Sequence, residues 1–267
     1  MNINDNIIQN IKNKTLNIND YEFSVDSDDS LTLTDHILLY NTGNTWKVIP
    51  ILIALSYPII YDKYSINDET YDITLVLCPV TLRCTMFKGI FEFITYQNYR
   101  MILKEKNDPN ENLIPIDLGI KIDKKHILQT NRRSEVKIST LRSALVISPD
   151  PIFMITNKTI IPVINIDYYS NNIDINGNIL DGLIHPKTLV YVIQYKSYST
   201  GDEKISIVLG KDITKNEITG YDAKQSEIYD YLEKYKQKII NREGYIMPML
   251  WYLAKDIYKS SRVVYIY

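Results

Sequence analysis

The sequence predicts an α+β fold, a mostly antiparallel β-sheet system with a C-terminal helical pair. Three observations carry this. Short runs rich in Ile, Thr, Tyr, Phe and Val recur from Leu31 onward, separated by turn residues. The 267 residues include 44 Ile, 23 Asn, 22 Tyr and 23 Lys but only 4 Ala, which shifts local preference from helix toward strand. Helical spacing of apolar residues is strongest in the last fifty residues.

Residues 1–30 read as a polar, acidic N-terminal arm, partly helical or mobile. Asp5, Asp20, Glu22, Asp26, Asp28 and Asp29 there face only Lys12 and Lys14. The stretch Ile7–Ile18 predicts a short helix. Leu31-Thr-Leu33-Thr alternates with period two and predicts a strand. Val48–Ile60 is the longest apolar run, thirteen residues interrupted by Pro50 and Pro58. A membrane span needs about 20 residues, so the run reads as a buried core segment. Ile73–Cys78 predicts a buried strand. Thr85–Tyr96 and Arg100–Lys104 predict a pair. Asn107-Asp108-Pro109-Asn110 is a loop by its turn chemistry.

Ile152–Ile166 predicts strand structure broken near Asn157-Lys158. Thr188–Tyr195 and Lys204–Leu209 predict a hairpin across Ser197–Asp202. Asp222 then caps an expected helix over about 223–241, in which Ile228, Tyr231, Leu232, Tyr235 and Ile239 form one stripe. Gly244 suits its stop and Pro248 the first turn of a second helix over about 247–259. Arg262–Tyr267 closes the chain as a strand. No repeat or low-complexity linker marks a boundary, so residues 31–267 are expected to form a single domain.

Composition removes several function classes. The chain is 45% hydrophobic with a net charge of −2, which excludes wholesale disorder and a strong global field for nucleic acid. No positively charged region followed by an apolar stretch opens it. The expectation is therefore a reducing setting, not secretion, with Cys78 and Cys84 as free thiols. There is no phosphate-binding loop, no dinucleotide fingerprint, no nucleophile-elbow motif and no His-Glu-x-x-His. His36, His126 and His185 share no ligand spacing. Asp26, Asp28 and Asp29 lack the glycine that a calcium loop needs. No cofactor or metal is expected.

Two segments remain as candidates. Leu77-Cys78-Pro79-Val80-Thr81-Leu82-Arg83-Cys84 follows a buried strand. Arg83 there would favour the Cys78 thiolate, and His185 would serve as base if the fold brings it near. The plainer reading makes Cys78 a small core hydrophobe, since its spacing from Cys84 is not that of a redox or zinc pair. The second candidate is the basic stretch 121–142, with Lys124, Lys125, Arg132 and Arg133 at its centre and a local balance of +5. Phosphate contacts suit it. The lack of any aromatic residue between Lys121 and Arg142 favours a solvated face or a protein partner over single-strand binding.

The Ile/Asn/Tyr/Lys style, with Gly220-Tyr-Asp, Tyr229–Tyr235 and Gly244-Tyr-Ile-Met-Pro-Met-Leu-Trp-Tyr252, resembles an uncharacterised protein family of giant nucleocytoplasmic DNA viruses of the mimivirus type. That resemblance implies a virion component or virus-factory protein in the host cytoplasm, with other viral proteins as partners. Ser56-Tyr-Pro58, Ile66-Asn-Asp68 and Val76-Leu-Cys78-Pro79 resemble a bacterial domain family of unknown function with a Tyr-Cys-Pro-Leu-Cys signature, over about residues 56–90. Its His-Glu pair is Lys63-Tyr64 here, and its second Cys is Thr81. The resulting expectation is a non-enzymatic protein acting through protein contacts. A thiol-dependent enzyme using Cys78 and a nucleic-acid accessory protein are the alternatives.

Overall fold

The computed structural model describes residues 5–26, 31–42, 45–66, 68–97, 99–107, 113–116, 136–175, 178–180, 189–196, 203–210, 245–257 and 262–266. The fold is α+β and rich in sheet. The chain forms two compact units, Met1–Asn165 and Ile166–Tyr267, where one domain over 31–267 was anticipated.

The first unit begins with α1 (Asp5–Lys12), β1 (Thr15–Leu16), a 3-10 turn (Ile18–Asp20) and β2 (Tyr21–Ser24). These residues are not an appended arm. β1 pairs in parallel with β5 (Ile59–Ile66), and Ile11 and Leu16 are fully buried. One short sheet runs β1, β5, β6 (Glu69–Leu77), β7 (Cys84–Lys88). A second is the meander of β8 (Phe91–Gln97), β9 (Arg100–Glu105) and β10 (Leu113–Pro115). Thr85–Tyr96, read as one strand, is thus divided between β7 and β8. The break falls at Gly89, whose φ of 108° is a conformation other residues rarely adopt.

The third sheet is the largest. Its order is β11 (Lys137–Thr140), β3 (His36–Asn41), β4 (Trp46–Pro50), β12 (Ile152–Thr156), β2. Leu33 and Thr34 form a turn ahead of β3, so the strand starts later than the alternation suggested. The long apolar run 48–60 is divided into the end of β4, the helix α2 (Ile51–Ser56) and the start of β5. Pro50 ends β4 and lacks the N–H that would extend it. α3 (Leu141–Ile147) connects β11 to β12, and Thr140 caps it by accepting from the Ser143 N–H. Ile37, Leu39, Val48, Leu141, Ala144 and Phe153 form the core between this helix and the sheet.

The second unit contains α4 (Asp167–Ser170) and a sheet of order β15 (Tyr245–Leu250), β13 (Leu189–Lys196), β14 (Glu203–Gly210), β16 (Arg262–Ile266). The expected hairpin is present as β13 and β14. The expected helix over 247–259 is narrower: Tyr245–Leu250 is strand, and only Trp251–Ile257 is helix, α5. Pro248 sits in β15, one of the two outer strands among the described residues, where a missing N–H is tolerated. The expected helix over 223–241 lies outside the described residues.

The sequence shows no repeat, but the backbone does. In each unit a hairpin lies at the middle of a sheet, and a strand–helix–strand segment straddles it. β11 is antiparallel to β3 and β12 parallel to β4; β15 is antiparallel to β13 and β16 parallel to β14. The registers agree. Thr140 faces His36 as Leu250 faces Leu189; Tyr40 faces Lys47 as Ile193 faces Ser206; Lys47 faces Ile152 as Ser206 faces Arg262. Both straddling helices have 7 residues, and residues 148–151 and 258–261 separate them from the next strand. Of the 4 alanines in the chain, Ala54, Ala144 and Ala254 each occupy the fourth position of a short helix directly following a strand, and all three are fully buried. A side chain of one methyl lets such a helix lie close on its sheet.

Candidate functional site

A buried polar cluster lies in the first unit, where β5 faces β3, β4 and β2. Asp62 interrupts the apolar start of β5 and is 4% exposed. Tyr40 and Lys47 are directly opposed across the β3–β4 hairpin. Both reach the same oxygen: the Tyr40 hydroxyl donates to Asp62 Oδ2 at 2.8 Å, and Lys47 Nζ lies 2.7 Å from it. Lys47 Nζ also stands 4.2 Å from the centre of the Phe23 ring, and the Tyr21 hydroxyl donates to the Tyr61 carbonyl at 2.6 Å. A buried carboxylate needs such compensation, since leaving water costs it several kcal/mol.

The electrostatic consequences follow from burial. Desolvation, then the Asp62 charge, pushes the Tyr40 and Tyr21 phenols well above their ordinary value. Desolvation and the Glu92 charge push Tyr61 up to about 12. These phenols stay protonated donors at neutral pH. Beside the cluster, Asp20, Tyr61, Asp62, Lys63 and Asp72 help to line a cleft of about 470 Å³. The Lys158 ammonium, 2.8 Å from Asp20, holds the Asp20 carboxyl below its usual range.

The Cys78–Cys84 segment is the β6–β7 hairpin connection. Leu77 pairs with Cys84, the Cys78 N–H donates to the Arg83 carbonyl at 2.7 Å, and Leu82 takes a φ of 57° to close the turn. Cys78 is fully buried and its sulfur is 3.4 Å from the Tyr96 hydroxyl. Burial raises its pKa; the groups acting against that are Thr81, Tyr96 and the Val80 backbone, not Arg83. Arg83 itself is 2% exposed. Cys84 is half-buried, its sulfur lies 3.5 Å from the Val136 carbonyl, and desolvation pushes it up to about 12. These are the surroundings of packing thiols: the enzyme alternative had Arg83 favour the Cys78 thiolate, and burial disfavours it.

No family model, curated protein or solved structure matches the chain. Among the described residues, no group of three or more His, Cys, Asp or Glu is placed to hold a metal ion. No described helix is long and apolar enough to cross a membrane.

The structure brings Cys78 and Arg83 into one turn. His185 lies outside the described residues, as do Lys124, Lys125, Arg132 and Arg133. The Asp62 cluster is absent from the sequence reading. Its one signal was a carboxylate directly after the apolar Ile59, Ile60 and Tyr61 at the start of β5.

Proposed function

We propose that the chain is a non-enzymatic protein acting through protein–protein contacts, as a component of a giant-virus particle or of its cytoplasmic factory. The observation that carries the non-enzymatic half is the closure of the Asp62 cluster. Its carboxylate is 4% exposed, and Oδ2 already receives both Tyr40 and Lys47. Such a carboxylate ties two sheets together rather than awaiting a substrate. The buried Cys78 thiol supports the same reading, since a nucleophile needs thiolate character and access. The viral half rests on composition and on the resemblance of the C-terminal motifs.

The test combines two measurements. Peptide mass spectrometry of density-purified particles should detect the chain, and sedimentation velocity should find it in assemblies larger than one chain. Absence from particles together with a monomer at every concentration would count against the reading.

A further inference from the structure

The repeated module has one unequal edge. In the first unit the outer edge of β12 carries β2 in antiparallel register, with Thr156 opposite Tyr21, Ile155 opposite Glu22, Met154 opposite Phe23 and Phe153 opposite Ser24. The equivalent strand in the second unit is β16, and Val263–Ile266 correspond to Phe153–Thr156. Among the described residues, β16 pairs only with β14. After Arg262 its sequence, Val263-Val-Tyr-Ile266, contains no charge, proline or glycine. Among the described residues the outer edge of β16 carries no strand, and an edge of such composition is a template for pairing, which proteins normally blunt or cover.

We propose that the outer edge of β16 is a strand-pairing interface and that its partner is β16 of a second copy of this chain. β2 cannot be lent to it. The Tyr21 hydroxyl is fixed to the Tyr61 carbonyl at 2.6 Å, Phe23 lies under Lys47, and the Thr156 hydroxyl holds the Asp20 carbonyl at 2.7 Å. The first unit uses an antiparallel strand at this position. Two identical edges meeting across a two-fold axis supply that geometry to each other. The axis also sets the register. Antiparallel pairs alternate between hydrogen-bonded and non-hydrogen-bonded kinds, so a symmetric pair must place one residue opposite itself. Full overlap of the five residues Arg262–Ile266 makes that residue Val264. The two sheets then join into one continuous sheet of eight strands, four from each copy. The inference names a partner for the contact reading but stands on the repeat, so either can fail without the other.

The test uses the full chain carrying Val264→Cys. Opposed residues in such a pair have Cα atoms about 4.5–5.5 Å apart, within the range of roughly 4.4–6.8 Å that a disulfide spans. Diamide oxidation, which joins the two thiols and takes up their hydrogens, should yield a covalent dimer in high proportion. Val25→Cys, at a site 78% exposed on the first unit, serves as the collisional control. Sedimentation equilibrium of the unmodified chain should give a dimer. Val264→Pro, which places a residue without an N–H at the centre of the strand, should shift it to monomer with an unchanged circular-dichroism spectrum. If Val264→Pro misfolds, the cysteine pair still decides. Dimer yield no higher from Val264→Cys than from Val25→Cys, or a monomeric unmodified chain, overturns the proposal. Such a result would leave contacts with other proteins open.

Discussion

Lys47 Nζ sits 2.7 Å from Asp62 Oδ2, an ion pair that fastens a strand of one sheet to a strand of another. Removing one partner strands the other charge in a low-dielectric setting. Asp62→Ala should therefore cost about 3–5 kcal/mol. Lys47→Met should cost less, because Tyr40 still donates to the carboxylate. The double variant Asp62→Leu/Lys47→Met should cost clearly less than the two single losses together. Urea unfolding at constant m-value measures all three, and strict additivity would refute the pairing.

The tyrosines beside this pair set an alkaline limit. Tyr40 and Tyr21 are raised well above their ordinary value of 10.0, and Tyr61 to about 12. In the unfolded chain they ionise near the ordinary value, so above that pH the folded state holds protons that the unfolded state has lost. Stability must then fall as pH rises. Phenolate absorbance should show a group of tyrosines that ionises only with unfolding. A single smooth titration of all 22 near their ordinary value is the contrary result.

Asp20 works in the opposite sense at the acid end. Its pKa is lowered from 3.8, chiefly by the hydrogen bond from Lys158. The contribution is present above pH 3.8 and disappears as pH falls through the folded value. Because the Lys158 side chain is 46% exposed and the Asp20 side chain 19%, solvent screens the pair, so the effect should be small and should fade in high salt. Comparing the acid limb of Tm against pH for the unaltered chain and Lys158→Ala checks this; identical limbs would count against the pair.

Both thiols should resist modification. With Cys84 pushed to about 12 and Cys78 raised and fully buried, iodoacetamide at mildly alkaline pH should label them about a hundredfold more slowly than in urea. Rapid native labelling of Cys78 would put the alternative, a thiol-dependent enzyme, ahead of the non-enzymatic reading.

Backbone geometry gives a prediction at Gly89. A Cβ there would come within 3.0 Å of Glu105 Oε1, and φ is 108°. Gly89→Ala should cost about 1–3 kcal/mol. The repeat gives another: Ala144→Leu and Ala254→Leu should each cost roughly 1–3 kcal/mol by overpacking, whereas Val146→Ala, at a site 82% exposed, should stay within about 0.5 kcal/mol. Tolerance of leucine at either alanine would mean that its helix does not lie close on the sheet.

Fold class, the β13–β14 hairpin, the β8–β9 pair and the C-terminal strand were legible because period-two patterning and turn residues are local signals. α2 was not. Its residues Ile-Leu-Ile-Ala-Leu-Ser continue an apolar run from β4, and buried helix and buried strand look alike over so few residues. β15 was misread because Pro248 suits both a helix start and an outer strand. The repeat stayed hidden because matching positions carry different side chains of similar character. Leu141 corresponds to Trp251 and Leu39 to Val192, all buried. The Asp62 cluster joins residues from four strands, and no sequence spacing encodes such a meeting.

The third sheet also dictates a timetable. Thr156 donates to the Asp20 carbonyl across a separation of 136 residues, and β2 has no place in that sheet until β12 exists. At a synthesis rate of about 5–20 residues per second, β2 waits on the order of ten seconds for its neighbour. The β5–β6, β6–β7 and β8–β9 hairpins lie between them in the chain and can close as they emerge. Sheet formation on the ribosome therefore runs from the middle outward, and β2, made well before β12, is among the last strands of the first unit to find its sheet.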